Sequence, residues 1–429
     1  MRSLLKKAAL VLLLVVLAVA GFIAWAQYSN SSDLPGDATT GRNPKLVDPD
    51  PQIVPSVSLP RTVGWAAGEA PTPAQGLAVN RFAEGLDHPR TMLTLPNGDV
   101  LVAETNAPAG NKPGGLTGAV MGWMMNRVGA GQPSPDRIVL LRDGDGDGKA
   151  EQRHVFRSAD LRSPSGMAWG IVGGSGKLYI ANHDAVLEFA FEPGATRLEG
   201  PARKLMDLWP AGNHWMRNLL LSEDGKHLYV AVGSASNIAE NGMEVETGRA
   251  AIWEIDTATG RRRQFAAGMR NPNGMGWNPG TGELWATVQE RDMLGPDLVP
   301  DYFTNVPVGA QYGWPWVYWK NVFDDRVEWP MQTYMLEYTR KPEYAMGAHA
   351  GVLGMVFGRG GIRMGSAFTN GAFIARHGSW NRRPAVGYDV VFVPFDANGN
   401  PRDVKPLPVL SGFLRQDGST HGRPTWVAW

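Results

Sequence analysis

The hydropathy pattern begins with an uninterrupted apolar run from Ala8 to Ala26, preceded by three basic residues. A run of about nineteen residues is close to the roughly twenty that cross a bilayer as a helix. The basic flank predicts a cytoplasmic N-terminus, with the remainder on the periplasmic side of a bacterial inner membrane. We therefore expect residues 1–27 to form an N-terminal membrane anchor. Because Ala24-Trp25-Ala26 also suits signal-peptide cleavage after Ala26, a periplasmic or secreted form is the alternative.

The pattern changes twice after this run. Residues 28–75 show little periodicity and are rich in Ser, Asp, Pro, Gly and Thr. This composition is typical of a flexible, partly disordered linker, whose function would be distance from the membrane. Residues 76–429 are organised differently, by short alternating segments, and we expect them to form the functional domain.

One phrase recurs through residues 76–429: polar residues, a short apolar strand, a tight turn and a second strand. Copies run from His88 to Glu104, Leu161 to Ala181, Asn213 to Gly233 and Met269 to Val288, and the opening half returns at Gly422 to Ala428. Asx-Gly turns such as Asn97-Gly98 are the strongest short-range signal for a β-hairpin. Alternating outer strands follow several copies, for example Arg137 to Leu141. The phrase therefore predicts a series of small antiparallel sheets.

Small sheets repeated at irregular intervals of about 50 to 80 residues indicate a β-propeller with variable loops. We predict an all-β, six-bladed β-propeller over residues 76–429 behind an N-terminal transmembrane helix; a pair of β-sandwiches is the alternative. The sequence stops at Trp429, soon after a blade-opening phrase, so the last blade is expected to be incomplete or completed by an earlier strand. Two long insertions, Asn106 to Gln132 and Phe323 to Ala348, are expected to lie either over a central pocket or against the membrane.

Composition narrows the function classes. Lys+Arg and Asp+Glu are both 41, so no field of one sign argues for nucleic acid as a partner. The 53 Gly, 32 Pro and 16 Trp favour short strands joined by loops over long helices. The chain has no Cys, which excludes disulfides, thiolate metal sites and cysteine nucleophiles.

An acidic stretch offers a first candidate metal site. Asp143, Asp145 and Asp147 alternate with glycines, a spacing with which carboxylates can surround one hard cation such as Ca²⁺. The position that carries a bidentate Glu in an EF-hand is His154 here, so the full motif is not present. We expect either a structural calcium site or a solvated hairpin turn.

Histidines and arginines offer a second candidate site. In a propeller the segments that open successive blades converge near the axis, and six basic residues lie at or near such segments: His214, Arg270, His349, His377, His421 and Arg423. Arginine makes planar bidentate contacts to carboxylates, and histidine can act as a base near neutral pH. These residues predict a cationic axial pocket for an anionic ligand.

Several of these motifs together resemble one family, the soluble quinoprotein glucose/sorbosone dehydrogenases, with the bacterial L-sorbosone dehydrogenase-like proteins as the most similar type. The motifs are Asn213-His214, Gly268 to Gly274, Glu290-Arg291-Asp292 with Asp297 to Tyr302, Tyr312 to Pro315, His377 to Arg382 and Gly422 to Pro424. The resemblance covers about residue 78 to the end. It implies a six-bladed propeller that binds pyrroloquinoline quinone (PQQ) and calcium at the top of its axis.

The resemblance also implies roles for individual residues. His214 would be the catalytic base, and Arg270 would polarise the quinone oxygens. Asn271 and Arg423 would bind the cofactor. The main-chain carbonyls of Glu290 and Arg291 would hold calcium. Since PQQ is a tricarboxylate, fixed cations suit it, and Trp314 and Trp316 offer planar surfaces on which the ring or a sugar could stack.

The sequence departs from the glucose-oxidising members at two places. Where they have a cofactor-binding lysine, this chain has the segment from His377 to Arg382, and we expect these two residues to contact the cofactor. Where they have two nearby arginines, this chain has Arg423 with His421 in the neighbouring place.

The function implied by the resemblance is PQQ- and calcium-dependent oxidation of a sugar or sugar aldehyde, with electrons passed to a quinone or cytochrome. Two alternatives from other classes remain open. A calcium-dependent, lactonase-type hydrolase would need a carboxylate cluster at the axis in place of arginines. A noncatalytic propeller that binds carbohydrate or protein would not depend on His214.

Overall fold

The computed structural model describes residues 2–52, 54–108, 115–128, 130–328, 334–360 and 363–429. The chain begins with the helix α1 (Arg2–Ser29), whose apolar side chains are exposed along most of its length. The part Leu5–Ser29 is long and apolar enough to cross a membrane by length and composition. The apolar run predicted from the sequence is therefore a helix that fits a membrane anchor or a signal peptide.

Most of the remaining elements are short strands. In chain order, the first are β1 (Thr40–Gly41), β2 (Thr72–Pro73), β3 (Pro89–Thr94), β4 (Val100–Glu104), helix α2 (Gly115–Arg127), β5 (Arg137–Arg142), β6 (Gln152–Arg157), β7 (Gly166–Val172), β8 (Ser175–Ala181), β9 (Ala185–Ala190), β10 (Arg203–Asp207), β11 (Leu219–Leu221), β12 (His227–Val232), β13 (Ala251–Asp256) and β14 (Arg262–Ala267). The second half has β15 (Asn271–Trp277), β16 (Leu284–Gln289), β17 (Pro300–Asn305), β18 (Ala310–Gln311), β19 (Val317–Tyr318), β20 (Val322–Phe323), the short helix α3 (Met335–Tyr338), β21 (Tyr344–Ala348), β22 (Val352–Phe357), β23 (Gly371–Arg376), β24 (Asp389–Pro394) and β25 (Leu407–Ser411), with a 3₁₀ turn at Ser366–Phe368.

These strands form five antiparallel blades in chain order. The blades have the strand orders β3-β4-β5-β6, β7-β8-β9-β10, β11-β12-β13-β14, β15-β16-β17-β21 and β22-β23-β24-β25. The third blade gains β18, the fourth gains β1 at its outer edge, and the fifth gains β2. The hairpins form where the sequence predicts them; the turn after β3, for example, contains Gly98 at φ +88°, a conformation that glycine adopts without strain.

The innermost strands of neighbouring blades lie side by side in the same direction. A β-carbon added at Gly166 would lie 2.2 Å from the carbonyl oxygen of Arg217, and one at Gly170 would lie 2.5 Å from Leu221. Glycine at these positions therefore allows β7 and β11 to approach closely. Because the inner strands run together, their first residues lie at one end of the propeller, the upper face, and their first hairpin turns lie at the opposite end, the lower face.

The blades pack against one another through aromatic and aliphatic side chains. Between the fourth and fifth blades, the ring of Trp285 lies 4.8 Å from that of Phe303 and 5.0 Å from that of Phe395, measured between centroids. All three side chains are buried. Such clusters hold neighbouring blades in register and so fix the loops of the upper face relative to one another.

The all-β propeller predicted from the sequence is confirmed, whereas six blades are not: the described residues form five sheets of four or five strands. Residues 425–429 continue beside β22. The amide of Gly354 donates to the carbonyl of Thr425 at 3.0 Å, and the indole N–H of Trp429 donates to the carbonyl of Phe357 at 2.6 Å. These residues thus occupy the place of an inner strand without a hairpin partner among the described residues.

The segment predicted as a flexible linker lies on the propeller. Residues 30–52 and 54–66, which we call the strap, run along the loops of the upper face and, at β1, along the outer edge of the fourth blade. The hydroxyl of Ser32 donates to Asp297, Asn381 donates to the carbonyl of Ser56, and Thr62 forms a bridge with Thr420. The sequence of the strap has no hydrophobic periodicity, because hydrogen bonds to distant loops hold these residues in place rather than the packing of an apolar stripe.

Candidate functional site

The candidate site lies on the upper face, where the segments that open the inner strands meet. His214 precedes β11, Arg270 precedes β15, and Arg423 precedes the final segment beside β22. His377 directly follows β23, which returns to the same face. The topology therefore places at one end of the molecule residues that are up to about two hundred positions apart in the sequence.

The ring of His214 has a defined orientation. Its Nδ1 lies 2.9 Å from the carbonyl oxygen of Ser234 and 2.9 Å from the hydroxyl of the same residue. Because that hydroxyl donates to the carbonyl of Ser236, both neighbours of Nδ1 accept a hydrogen bond. Nδ1 therefore carries the proton, and Nε2 presents a lone pair.

The environment keeps His214 neutral. Burial is the main cause that lowers its pKa to about 3, and the positive charge of Arg270 is the second. Gly233 permits the close packing, since a β-carbon there would lie 2.4 Å from Asn271 Oδ1 and 2.6 Å from the β-carbon of His214. The predicted neighbours His214, Arg270 and Asn271 are thus brought together.

Arg270 is buried and held by four hydrogen bonds. Its Nη1 donates to the carbonyl of Glu290 at 2.6 Å, and its Nε and Nη2 donate to the carbonyl and side-chain oxygens of Asn237 at 3.2 and 2.8 Å. Nη2 also lies 3.3 Å from Asp292 Oδ2. These contacts fix the plane of the guanidinium beside His214.

Asp292 joins Arg270 to His349. His349 is buried, and its two ring nitrogens lie 3.0 Å from Asp292 Oδ1 and 3.0 Å from the carbonyl of Gly295. Both partners are acceptors, so the ring is protonated on both nitrogens. Burial opposes this charge, but the hydrogen bond and charge of Asp292 outweigh it and raise the pKa of His349. Although burial favours the neutral carboxyl, His349 and Arg270 lower the pKa of Asp292.

A second cationic group contains Arg423, His377 and Arg90. Arg423 donates from Nε to the carbonyl of His377 at 3.0 Å and from Nη2 to the carbonyl of Gly378 at 2.6 Å. Burial and the charges of Arg423 and Arg90 lower the pKa of His377 well below its usual value, so its ring is neutral. Burial and the charge of Arg423 lower the pKa of Arg90 to about 10.

Arg90 connects the two groups. Its guanidinium stands 5.6 Å from the ring of Trp215, and its Nε lies 3.2 Å from the sulfur of Met216. Both contacts belong to the segment that carries His214. Sequence reasoning missed Arg90, although His88-Pro89-Arg90 opens a blade as Arg270 and Arg423 do; the position of the arginine in the blade-opening phrase was the available signal.

Two predicted cofactor ligands are engaged by the strap. The buried guanidinium of Arg382 is fully engaged by Asp297 at 3.0 Å and by the strap, including the carbonyl of Leu34 at 2.9 Å. The ring of His421 stacks on Trp65 of the strap at 4.1 Å, and its Nδ1 lies 2.7 Å from the carbonyl of Gly64. Both residues therefore hold the strap on the upper face, because their polar atoms are directed to strap residues.

Trp314 also differs from the expectation that it offers a stacking surface. Its side chain is buried, and its indole N–H donates to the carbonyl of Asn237 at 3.0 Å. The carbonyl of Asn237 also accepts from Arg270. Trp314 therefore helps to fix Asn237, which in turn orients Arg270.

Of the two main-chain carbonyls predicted to hold calcium, that of Glu290 does not fit a cation in this arrangement, because it accepts a hydrogen bond from Arg270 at 2.6 Å. The carbonyl of Arg291 stays a predicted ligand, and the side chain of Arg291 pairs with Asp324. Burial raises the pKa of the Glu290 carboxyl to about 7 and that of Asp301 to about 6, so both ionise less readily than exposed carboxyls. A calcium ion could use the Glu290 carbonyl only after Arg270 released it, and we derive no step through calcium.

The acidic turn lies apart from the site. Carboxylate oxygens of Asp143, Asp145, Asp147 and Glu151 lie within 4.8 Å of one another in the turn between β5 and β6. Asp143 accepts from the amides of Gly146 and Gly148 at 2.7 and 2.9 Å. Because β5 runs from the upper to the lower face, this turn is at the opposite end of the molecule from His214.

The donor set fits a flat polyanion such as PQQ. Among the described residues, neither Arg90 nor Arg423 pairs with a carboxylate. Burial lowers the pKa of both guanidiniums, and the charge of Arg423 lowers that of Arg90 further. Partial burial of a cation without a counter-ion costs free energy, and a bound anion would offset that cost. The group of Arg270, Asp292 and His349 contains two cations and one anion, so it adds a net charge of one positive unit.

Comparisons with known proteins support the fold. The PQQ domain of a Coprinopsis cinerea pyranose dehydrogenase, in holo form, is similar with a TM-score of 0.63 and 20% identity, over 87% of this chain and 94% of that one. A calcium structure of a Trichoderma reesei family AA12 enzyme has a TM-score of 0.63 and 19% identity, over 80% and 87%. A PQQ-bound aldose sugar dehydrogenase from Streptomyces coelicolor has a TM-score of 0.50 and 14% identity, over 82% and 89%.

Sequence comparison adds the family. An uncharacterised protein of Borreliella burgdorferi is 29% identical over 234 residues, which is 52% of this chain and little more than half, 57%, of that protein. The model of the TrAA12-like family matches residues 139–300 and 327–408, more than half of the chain and most of the second to fifth blades. The chain therefore belongs to the TrAA12-like family.

Proposed function

We propose that this protein oxidises a sugar or a sugar aldehyde, of the aldose or sorbosone type, by hydride transfer to PQQ bound on the upper face. The observation that carries the proposal is the pair Arg90 and Arg423, two mutually repelling guanidiniums without a carboxylate partner among the described residues. The membership of the TrAA12-like family and the fold shared with PQQ-dependent sugar dehydrogenases support it.

The chain's own residues would hold the cofactor by charge and by shape. Arg423 has Nη1 free of the carbonyl contacts that fix its Nε and Nη2, and Arg90 has both terminal nitrogens free of described partners. Each can therefore donate to a carboxylate. Asn271, fixed by a 2.9 Å bond from its amide to Gln289, presents its side chain beside His214. When bound, PQQ supplies the hydride acceptor.

His214 would take, at Nε2, the hydroxyl proton of a sugar or of the hydrate that a sugar aldehyde forms with water. The hydrogen bonds at Nδ1 fix the tautomer that this role requires. A pKa of about 3 keeps the ring unprotonated, but makes it a weak base. An anion bound beside Arg270 would offset the second cause of that low pKa and so increase the basicity of Nε2 in the loaded protein.

Arg270 would stabilise negative charge that develops on an oxygen facing it. Its plane is fixed before binding by Asn237, Glu290 and Asp292, so little reorganisation is needed when the charge appears. Electrons would then pass to a quinone or a cytochrome. If α1 is retained as an anchor, the reaction takes place on the periplasmic side of the inner membrane.

The lactonase-type alternative requires a carboxylate cluster at the axis. The site contains Arg90 and Arg423 without carboxylate partners among the described residues. Of its buried carboxyls, Asp292 is engaged by Arg270 and His349, and burial raises the pKa of Glu290 and Asp301. The geometry therefore favours a polyanionic ligand over a catalytic calcium ion.

The test is dye reduction by the purified full chain in detergent, with and without PQQ, over a panel of aldoses and sugar aldehydes that includes sorbosone. We expect PQQ-dependent reduction, loss of kcat in His214→Gln, and a higher PQQ requirement in Arg90→Gln. Arg261→Gln, which removes an exposed arginine from the turn between β13 and β14, is the matched control and should behave as the parent. Absence of PQQ-dependent reduction with every substrate would reject the proposal.

A further inference from the structure

The junction between α1 and the propeller is short and fixed. Near the end of the helix, the Gln27 side chain donates to the carbonyl of Pro55 at 2.5 Å and accepts from the amide of Val57 at 2.8 Å. The Asn30 side chain donates to the carbonyl of Val54 at 2.7 Å. The amide of Ser32 then donates to the carbonyl of Arg383, in the loop between β23 and β24. The helix therefore leaves directly from the upper face, without a free length of chain.

The helix α2 lies on the same side of the molecule. It belongs to the loop between β4 and β5, which starts and ends at the upper face, and Arg127 at its end donates to the carbonyl of Leu59 in the strap at 3.2 Å. Its sequence has no charge before Arg127. Trp123 is 61% exposed and Met125 is 42% exposed, so the described part of the helix presents apolar side chains to its surroundings.

Exposed tryptophans are confined to this face. Beyond α1, the described residues expose two tryptophan side chains, Trp123 and Trp380, and both are on loops of the upper face. Three of the first hairpin turns on the lower face are polar instead, Asn97-Gly98, Glu223-Asp224 and Thr281-Gly282, whereas the hairpin of the second blade exposes Ile171 but no tryptophan. Tryptophan is enriched where proteins meet the headgroup region of a bilayer, and basic residues flank such regions.

We propose that the upper face docks on the surface of the bilayer that α1 crosses, with α2 lying in the headgroup region. A lipid surface is the occupant because α1, the only apolar helix long enough to cross a membrane among the described residues, is bonded to Pro55 and Val57 of the strap, and α2 is bonded to Leu59 of the same strap. The inference goes beyond the proposed chemistry and rests on none of it. One consequence is that the candidate site opens toward the membrane.

The test uses the full chain in vesicles of phosphatidylethanolamine and phosphatidylglycerol. Because the chain has no native cysteine, single cysteines can each carry one environment-sensitive fluorophore. Met125→Cys reports on α2, Tyr28→Cys on the end of α1, and Thr281→Cys, exposed on a lower turn, is the control. Vesicles with and without lipids that carry a quencher in the upper acyl chain are compared, and thermal unfolding checks that each labelled protein is folded.

We expect the labels at 28 and 125 to be quenched by the lipid quencher and the label at 281 to be unaffected. Quenching at 28 alone would show that α1 is inserted but the upper face is held away from the lipid, and would overturn the proposal. A blue-shifted but unquenched label at 125 would show that protein, such as a second copy, covers α2, and would also overturn it. No quenching at 28 would refute the anchor itself. PQQ-dependent dye reduction, measured separately in detergent, distinguishes each of these outcomes from failure of the proposed function.

Discussion

His214 is expected to remain neutral in the folded protein at a pH where an ordinary histidine is protonated. Its pKa is lowered from 6.5 to about 3, first by burial and then by Arg270. At about 1.36 kcal/mol per pKa unit, this interval corresponds to about 5 kcal/mol in favour of the neutral ring. Because the folded protein keeps His214 neutral, its free energy of unfolding should fall at acid pH, and that fall can be measured.

The direction in which stability changes with pH follows from which state of the protein takes up the proton. Between pH 6.5 and about 3 the unfolded chain protonates His214 while the folded chain does not, so stability is fully present above pH 6.5 and is lost as the pH falls through this window. At pH 4.5, about two pKa units into the window, the loss due to His214 alone is about 3 kcal/mol. Other histidines contribute equally to the parent and to a His214 variant, so a difference between the two isolates this residue.

The assay is urea unfolding of the propeller in detergent at pH 7 and pH 4.5, followed by tryptophan fluorescence, for the parent and for His214→Gln. The free energy of unfolding of the parent should fall by about 3 kcal/mol more than that of the variant. Equal losses in the two proteins would refute the reasoning. Histidine NMR, with only eight histidines in the chain, should show directly that Arg270→Gln raises the pKa of His214 because the repulsion is removed.

Three further predictions follow from single contacts. Gly233→Ala should lower kcat by one to two orders of magnitude (roughly 10- to 100-fold) and should also weaken PQQ binding, because the new methyl group displaces both Asn271 and His214; a parent-like kcat would contradict this. Arg382→Ala should lower the free energy of unfolding by about 3 to 5 kcal/mol by leaving buried Asp297 unpaired, whereas exposed Arg383→Ala should have little effect. Calcium should raise the thermal midpoint of the parent but not of Asp143→Asn; equal responses would exclude the acidic turn as the ion's site.

The recurring phrase predicted the fold because its information is local. The run Val100 to Ala103 is apolar, follows an Asx-Gly turn and lies in β4, as its pattern indicates. Such signals depend on neighbours in the sequence, and they located the hairpins of the blades. The number of blades was not confirmed, because the opening phrase at 422–428 predicts a strand but not its partners.

The site was predictable only in part. His214, Arg270 and Arg423 shared a position in the phrase, and the fold places them on one face. Arg382 carries no local signal that its partner is Asp297, which is 85 positions away, or that the strap completes its hydrogen bonds. Arg90, in contrast, does carry a local signal, because it stands at the same point of the phrase as His214, Arg270 and Arg423, but it was not recognised.

The most direct measurement of the central claim is calorimetric titration of the full chain in detergent with PQQ. We expect one PQQ per chain and an affinity that falls with added salt. Binding should be weakened by ten-fold or more, about 1.4 kcal/mol, in both Arg90→Gln and Arg423→Gln but unchanged in Arg261→Gln. Absence of binding at micromolar PQQ, or binding that all three variants retain unchanged, would contradict it.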